Sequence, residues 1–334
     1  MNFVVVALTV VAVYALTRSF STRPAGVLAA VLTACYPFLA FTATTFYPQT
    51  LAGLLVVVTL LLTVRARGAS GRRRAGLGCL AGLSAGVLTM VVPTFAFVPV
   101  ILVVWLVVAD RRRAAAVCVA VIAGSLLLPA VWTVRNATVF GHFIPLTTSS
   151  GFNLLVGNHP GATAAGSYTA RAVDPYRIQA RRRHLDEYET DNLLQRVALK
   201  WISRHPGHAL VLYLGKLLNN FAPSNELATK GQNSFLRSVL AAVSFLPLLL
   251  LVCLRLALAR KRPLLAAEWL MLAVYIGNAV LLAIYVTRAR YRLPVDILLI
   301  SLAAAFLADV AGLGRRDRSA VGEAGRQPRA SQLA

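Results

Sequence analysis

The sequence predicts an all-α polytopic membrane protein with about nine transmembrane helices and one extracytoplasmic segment that carries amphipathic and interfacial helices. Two observations lead to this fold class. Of the 334 residues, 58% are hydrophobic and only 14% are charged, which is far from the composition of a soluble domain. Apolar runs of membrane length also recur along most of the chain, and each should be helical because unpaired backbone groups are costly in hydrocarbon.

The apolar runs define the predicted helices in chain order. The run at 76–109 has basic clusters on both sides, so it should cross the membrane twice and turn near Thr89–Thr94, where Pro93 interrupts the helix. Each remaining run suits one crossing, which gives about nine crossings in total. The runs lie at 3–16, 25–43, 49–64, 76–109, 114–134, 236–258, 264–286 and 293–312.

The formal net charge of +22 comes largely from arginines in the gaps between the apolar runs. Basic residues that flank membrane spans favour the cytoplasmic side, so these clusters are orientation signals and no nucleic-acid partner is expected. The resulting map has an extracytoplasmic N-terminus and a cytoplasmic C-terminus. The four clusters are RARGASGRRR (65–74), RRR (111–113), RLALARKRP (255–263) and RRDR (315–318).

This topology divides the chain into four parts. N-terminal transmembrane helices occupy 1–134, an extracytoplasmic loop segment occupies 135–234, C-terminal transmembrane helices occupy 235–312, and 313–334 form a cytoplasmic tail that is expected to be disordered. All four cysteines fall within apolar runs, where they behave as small buried hydrophobes, so no disulfide framework is expected.

The extracytoplasmic segment contains all five histidines and six of the twelve acidic residues. Within it, HLDEYETDNLLQRVALKWIS (184–203) spaces its apolar residues as a helix does, with acidic residues early and basic residues late, which predicts an amphipathic helix near the membrane surface. HALVLYLGKLLNNF (208–221) is short for a crossing and predicts an interfacial or re-entrant helix. The sequence alone does not decide whether 208–221 crosses the membrane.

Four short motifs carry a family resemblance: WTVRN (132–136), GFNL (151–154), GNHPGA (157–162) and RARYRLP (288–294). Together they resemble bacterial members of the dolichyl-phosphate-mannose-protein mannosyltransferase-like group, which are GT-C glycosyltransferases. The resemblance implies a multi-pass protein of the bacterial plasma membrane without a cofactor. It also implies transfer of a sugar from a polyprenyl-phosphate donor to an extracytoplasmic acceptor, with that donor and the membrane lipids as binding partners.

The resemblance suggests a role for the loop SSGFNLLVGNHPGATAAGSY (149–168). Asn153, Asn158 and His159 offer amide and imidazole groups that would suit the hydroxyls of a sugar or its acceptor, and glycines would let the backbone approach a ligand. The alternative is that Gly, Asn and Pro only form the turns that any extracytoplasmic loop requires.

Arg288, Arg290 and Arg292 lie on the predicted extracytoplasmic side, against the usual bias of short loops. A polyprenyl phosphate would offset their charge, because the guanidinium fork matches phosphate oxygens and the alternate spacing could direct two or three arginines to one headgroup. The alternatives are that they bind ordinary anionic lipid, or that the topology is locally inverted. Asp296 is expected to be a helix N-terminal charge and an arginine partner.

The chain departs from the family pattern at the catalytic carboxylate, which an inverting sugar transfer needs as a base. Relatives are expected to carry acidic residues in a first external loop, whereas here no Asp or Glu precedes Asp110, and Gln49 stands where relatives commonly have an acid. The catalytic residue is therefore unassigned. The chain is expected to lack the N-terminal helix and the acidic first loop, as a fragment, a degenerate protein, or a subunit completed by a partner.

Two other classes of function compete with the transferase. A transporter or lipid flippase would explain many helices and few catalytic groups, and a non-catalytic partner in a cell-envelope glycosylation complex would explain the missing carboxylate. A zinc site is not expected, because His205 and His208 flank Pro206 and Gly207 without a matching cysteine or carboxylate cluster.

Overall fold

The computed structural model describes residues 2–45, 47–111, 113–164, 170–224 and 235–313, and across these ranges the regular structure is entirely helical. This confirms the predicted all-α fold class, and the helices fit a polytopic membrane protein. The predicted tail at 313–334 lies, apart from its first residue, outside the described residues.

Fourteen α-helices occur in the described ranges. The first seven are α1 Asn2–Phe20, α2 Arg23–Ala34, α3 Pro37–Ala43, α4 Gln49–Arg67, α5 Gly71–Val91, α6 Val98–Ala109 and α7 Ala114–Phe140. The next four form a lobe, with α8 Ser150–Gly157, α9 Asp174–Arg182, α10 Glu187–Arg204 and α11 Pro206–Asn219. The last three are α12 Phe235–Ala257, α13 Ala266–Ile284 and α14 Ala289–Val310.

Seven of the described helices are long and apolar enough to cross a membrane: α1, α4, α5, α7, α12, α13 and α14. The pair α2 and α3 passes the same test jointly but is bent by 54°, which brings the count to eight if the pair is one span. The segment Pro93–Ala109 is apolar but shorter. The predicted break at Pro93 is present, since α5 ends at Val91, whereas the described helices give seven or eight candidate spans and not the nine predicted.

Helices α5 and α7 pack closely because glycines line their contact. A Cβ atom added at Gly82 would collide with the backbone of Val121, and one added at Gly124 would collide with the backbone of Cys79. Small residues let helix backbones approach in this way, which replaces the hydrophobic driving force that lipid cannot provide.

Helix α14 lies at the centre of the bundle and contacts α2, α4, α12 and α13. Nearly every residue from Arg292 to Ala308 is buried. A helix that is apolar on all sides belongs in such a position. The two charged residues that α14 carries into the bundle, Arg292 and Asp296, therefore require partners inside it.

The described basic clusters lie at one end of the bundle, here called the basic end. The turns that carry them are joined by the Arg74–Asp110 ion pair (2.7 Å), by the Trp105 indole N–H on the Ala266 carbonyl (2.7 Å) and by the Arg262–Asp309 ion pair (2.8 Å). The topology predicted from the sequence requires the basic clusters to lie at the same end of the bundle. The side of the membrane that this end faces remains a prediction.

The lobe of α8 to α11 lies at the opposite end, because Asn158 at the end of α8 bonds to the carbonyl of Ile284, where α13 ends. The predicted amphipathic helix is present as α10, which buries Leu194 and Ala198 in a small core of its own. The predicted helix at 208–221 is α11, whose 14 residues fall below the length needed for a membrane span.

Candidate functional site

The candidate site surrounds the turn between α13 and α14. Helix α13 ends at Ile284 and α14 begins at Ala289, so two of the predicted loop arginines, Arg290 and Arg292, lie inside the helix. Arg288 occupies the position before the first helical residue, and its backbone is extended. The C-terminal ends of α8 and α11 pack against this turn.

Arg292 faces inward and is 2% exposed. Its Nε donates to Asp296 at 2.9 Å, and its Nη1 donates to the carbonyl oxygens of Asn220 and Ala222, the latter at 2.8 Å. The guanidinium carbon lies 3.5 Å from the ring centroid of Phe245 on α12. Arg292 therefore fastens the end of α11 and helix α12 to α14.

Asp296 lies one turn further along α14 and is 1% exposed. It accepts hydrogen bonds from Arg292 and from the hydroxyl of Tyr36, the latter at 3.2 Å. The predicted pairing of Asp296 with an arginine is present, but its prediction as a helix N-terminal charge is wrong, because α14 begins at Ala289 and Asp296 lies beyond the first turn. Ionisable groups at membrane depth are rare, because they are expensive to bury, and they mark functional sites or paired structural charges.

Further buried polar side chains, several with unpartnered atoms, lie on the elements that pack near this ion pair. Together with it they form the buried polar cluster, whose members are Tyr36, Asn220, Tyr275, Asn278, Arg292 and Asp296. Tyr275 and Asn278 lie one turn apart on α13, and the amide nitrogen of Asn220 donates to the neighbouring Ala279 carbonyl at 3.1 Å. All six members are at most 4% exposed.

Within the buried polar cluster, five polar atoms have no hydrogen-bond partner. They are the Tyr275 hydroxyl, both side-chain polar atoms of Asn278, Oδ1 of Asn220 and Nη2 of Arg292. Native proteins leave few buried polar groups unpaired, and each exception calls for a water, a ligand or a functional reason. These five atoms offer donors and acceptors inside the bundle that a water or a polar ligand can pair with.

Arg290 points elsewhere. Its guanidinium lies 5.1 Å from the ring centroid of Tyr47 and 4.8 Å from that of Tyr291, and its Nη2 donates to the Tyr291 hydroxyl at 2.8 Å. Its Nε is buried and lacks a partner. Because residues two apart on a helix face different directions, Arg290 and Arg292 do not converge on one point as their alternate spacing suggested. Arg288 is partly buried at the start of the helix.

Asn158 ties the lobe to the membrane helices. Its amide nitrogen donates to the carbonyls of Leu154 (2.9 Å) and Ile284 (2.8 Å), and its Oδ1 accepts from Lys216 at 3.2 Å. Lys216 is 2% exposed and also donates to the Tyr285 carbonyl at 2.9 Å. Burial lowers the pKa of Lys216 to about 8, because both of these acceptors are neutral oxygens.

His159 follows Asn158 and is partly buried. Its Nδ1 accepts from the backbone N–H of Gly161 at 3.1 Å, and its Nε2 is buried without a partner. Burial, and then the charge of Lys216, lower the pKa of His159. The next position upstream of this pair, Gly157, is tightly constrained, since a Cβ atom there would collide with the Tyr285 carbonyl.

Asn153 is separate from Asn158 and His159. It lies in the first turn of α8, where its amide nitrogen donates to the Ser149 carbonyl at 2.8 Å. The same helix start is capped by Asp191, which accepts from the backbone N–H groups of Gly151 and Phe152, both at 2.9 Å. The structure thus brings Asn158 and His159 together and leaves Asn153 at the other end of α8.

The described acids of the lobe mostly serve as caps. Asp186 and Glu189 form a capping box at the start of α10, and the hydrogen bond from the Glu189 backbone N–H lowers the pKa of Asp186. Glu187 accepts from the Thr148 hydroxyl. A shallow cavity of about 450 Å³ lies among these groups, but its carboxylates are already engaged. Glu226 lies outside the described residues.

The tryptophan-arginine-asparagine motif shapes the turn after α7. The Trp132 indole donates to the Leu146 carbonyl at 3.1 Å, and Asn136 donates to the Ile144 carbonyl at 3.0 Å. Arg135 packs over Trp132 and Phe140, with 5.2 Å between its guanidinium carbon and each ring centroid. This motif therefore has a structural role in turning the chain from the membrane into the lobe.

Sequence reasoning missed Lys216 and most of the buried polar cluster. The lone lysine of the apolar stretch VLYLGKLLNN (211–220) was a visible signal, whereas nothing local distinguishes Tyr275 or Asn278.

Within the described ranges, no three histidine, cysteine or acidic side chains lie close enough to hold a metal ion. No protein-family model, curated protein or solved structure matches the chain.

Proposed function

We propose that the chain is a glycosyltransferase-type membrane protein that binds a polyprenyl-phosphate-linked sugar at the end opposite the basic end, for transfer to an extracytoplasmic acceptor. The observation that carries this proposal is the buried polar cluster, whose five unpartnered atoms lie beside the start of α14. The family resemblance of the motifs at 132–162 and 288–294 supports the choice of ligand.

The phosphate would bind at Arg290. Its Nε has no acceptor, its fork is held between Tyr47 and Tyr291, and it lies in the first turn of α14. Helix N-termini attract anions, because their free N–H groups and the helix dipole carry partial positive charge. Tyrosines favour the membrane interface, where a lipid phosphate resides. Arg288 adds charge at the same helix start, whereas Arg292 positions the surrounding helices.

The sugar would bind at the buried polar cluster. Sugar hydroxyls donate and accept hydrogen bonds, and the unpartnered atoms include a hydroxyl on Tyr275, an amide on Asn278 and an acceptor oxygen on Asn220. These groups are closed to solvent, so binding requires a small separation of α11 from α13 and α14. Asn158 and His159 make structural bonds in the lobe. In this proposal they would also contact the acceptor.

Catalysis requires a base that the described site does not offer. Asp296 is engaged by Arg292 and Tyr36, and Asp191 caps α8. We therefore propose that the chain by itself binds the donor with little turnover, and that a partner subunit supplies the missing carboxylate. A radioactive sugar-transfer assay with the purified chain tests this step, and robust turnover would contradict it.

Donor binding is tested with Arg290→Gln in lipid nanodiscs. Loss of one charge-assisted hydrogen bond of about 1.5–3 kcal/mol should weaken binding of a polyprenyl phosphate by about one to two orders of magnitude. Arg290→Lys should restore only part of the affinity, because lysine lacks the fork. Arg111→Gln, at the basic end, is the matched control and should leave affinity unchanged. Equal losses in both glutamine variants would contradict the assigned site.

A second candidate is a lipid flippase or transporter, which the buried Arg292–Asp296 ion pair favours, since charges inside membrane spans often line substrate paths. Proteoliposomes that hold a fluorescent polyprenyl-phosphate analogue distinguish the two functions. If the chain only binds the donor, the analogue should leave its original leaflet no faster than it does in protein-free liposomes. Rapid movement between leaflets that Asp296→Asn abolishes would favour the flippase.

A further inference from the structure

A cavity of about 360 Å³ opens at the basic end, far from the site described above. Three turns form its wall: the turn between α1 and α2, the turn between α12 and α13, and the end of α14. The cavity is therefore built from both the N-terminal and the C-terminal parts of the chain, and neither part closes it alone. Nothing in the proposed donor site uses it.

One wall of the cavity is a buried ion pair with fixed geometry. Arg255 contacts Glu268 through two parallel hydrogen bonds, from Nε at 2.9 Å and from Nη2 at 2.8 Å. Arg255 also donates to the carbonyl oxygens of Arg262 (2.6 Å) and Pro263 (3.1 Å). Its side chain is 10% exposed. Such bidentate contacts rigidify the turn and hold the cavity open without a ligand.

The mouth of the cavity carries a cation that is only partly engaged. Arg262 donates from Nη1 to Asp309 at 2.8 Å, and both side chains are more than two-fifths exposed. Exposed ion pairs of this kind contribute little stability, so a phosphate could compete for the guanidinium. Arg260 and Lys261 immediately precede Arg262 and are exposed as well, so the turn that flanks the mouth carries three cations next to the single carboxylate of Asp309.

The remaining wall is apolar. Phe20 and Phe306 line the cavity, and Leu265 and Leu313 line it while remaining 42% and 50% exposed. A cavity with a cationic rim on one side and exposed apolar side chains on the other matches a molecule with a phosphate next to acyl chains. Basic pockets between membrane helices bind anionic lipid headgroups for this reason.

We infer that this cavity binds the phosphate headgroup of an anionic diacyl phospholipid, with Arg262 donating to the phosphate. The inference is independent of the proposed donor site, which lies at the opposite end. Two sources could supply the same chemistry, a phospholipid and free inorganic phosphate. The apolar wall favours the phospholipid.

Native mass spectrometry of the full chain in detergent tests the inference, with phosphatidylglycerol, phosphatidylcholine and inorganic phosphate as separate probes. Arg262→Gln should reduce phosphatidylglycerol affinity about tenfold. Phosphatidylcholine, whose choline cation neutralises the headgroup, should bind only weakly whether residue 262 is arginine or glutamine. Arg113→Gln, which removes an arginine from the same end but outside the cavity, should change affinity less than twofold. Far-ultraviolet circular dichroism checks that both variants remain folded.

Three results would overturn the inference. The first is an equal loss of affinity in Arg262→Gln and Arg113→Gln, which would mean general attraction to a basic surface. The second is equal affinity of the unmodified chain for both phospholipids. The third is displacement of phosphatidylglycerol by inorganic phosphate at millimolar concentration, which would assign the cavity to the free anion.

Discussion

Replacing Asp296 with Asn should destabilise the bundle far more than removing the exposed charge of Asp309 in the same helix. The carboxylate accepts from Nε of Arg292 at 2.9 and 3.2 Å and from the Tyr36 hydroxyl at 3.2 Å, with both charged side chains at most 3% exposed. Asparagine keeps one acceptor oxygen but leaves the buried guanidinium without its counter-charge.

The expected magnitude follows from that loss of charge. Removing one partner of a buried ion pair costs about 3–5 kcal/mol, and the retained acceptor places Asp296→Asn near the lower value, at about 3 kcal/mol. The matched control is Asp309→Asn in the same helix. Its pair with Arg262 is more than two-fifths exposed on both sides, so the cost should be below about 1 kcal/mol.

The assay is reversible unfolding in mixed micelles of increasing sodium dodecyl sulfate content, followed by circular dichroism. A double-mutant cycle adds Arg292→Gln, alone and together with Asp296→Asn. The double variant should be less destabilised than the sum of the two single variants, because each single change leaves one uncompensated charge. Strict additivity, or equal effects of Asp296→Asn and Asp309→Asn, would refute the reasoning.

Three further predictions concern the lobe and the topology. Gly157→Ala should destabilise the contact with Tyr285 by about 1–3 kcal/mol, measured in the same unfolding assay, since a Cβ atom cannot fit there. The pKa of Lys216 is about 8 in the folded protein and 10.5 in the unfolded chain, so the free energy of unfolding should rise as the pH rises between these two values. Lys216→Met should remove this rise in unfolding curves recorded across that range. Single cysteines at Ser150 and Ser70, in a background without native cysteines, should react with a membrane-impermeant maleimide from outside and from inside respectively, and labelling of Ser70 in intact cells would overturn the map.

Local signals in the sequence predicted much of the helical architecture. The break at Pro93 follows from the missing N–H and the ring clash of proline, and α10 follows from its 3.6-residue apolar period. The predicted boundary at 134 differs from the structure, where α7 continues to Phe140. The longer helix ends at Gly141, which adopts the left-handed conformation typical of a helix end, and Trp132 and Asn136 bond to the returning chain beyond it.

The candidate site was less predictable, because its members are distant in sequence. The arginine motif drew attention to the start of α14, but the inward direction of Arg292 depends on the carbonyl oxygens at the end of α11. Tyr36 bonds to Asp296 from the turn between α2 and α3, and Tyr275 lies on α13. Proximity of this kind arises only after the helices pack, so sequence reasoning found the motif and missed the cluster.

Photo-crosslinking tests the central claim most directly. A polyprenyl phosphate with a photoreactive group next to the phosphate is incubated with the full chain, irradiated, and the labelled peptides are identified by mass spectrometry. The account predicts labelling of peptides that contain Tyr47 or Tyr291, with strong reduction in Arg290→Gln. Labelling confined to the basic end, or unchanged labelling in Arg290→Gln, would contradict it.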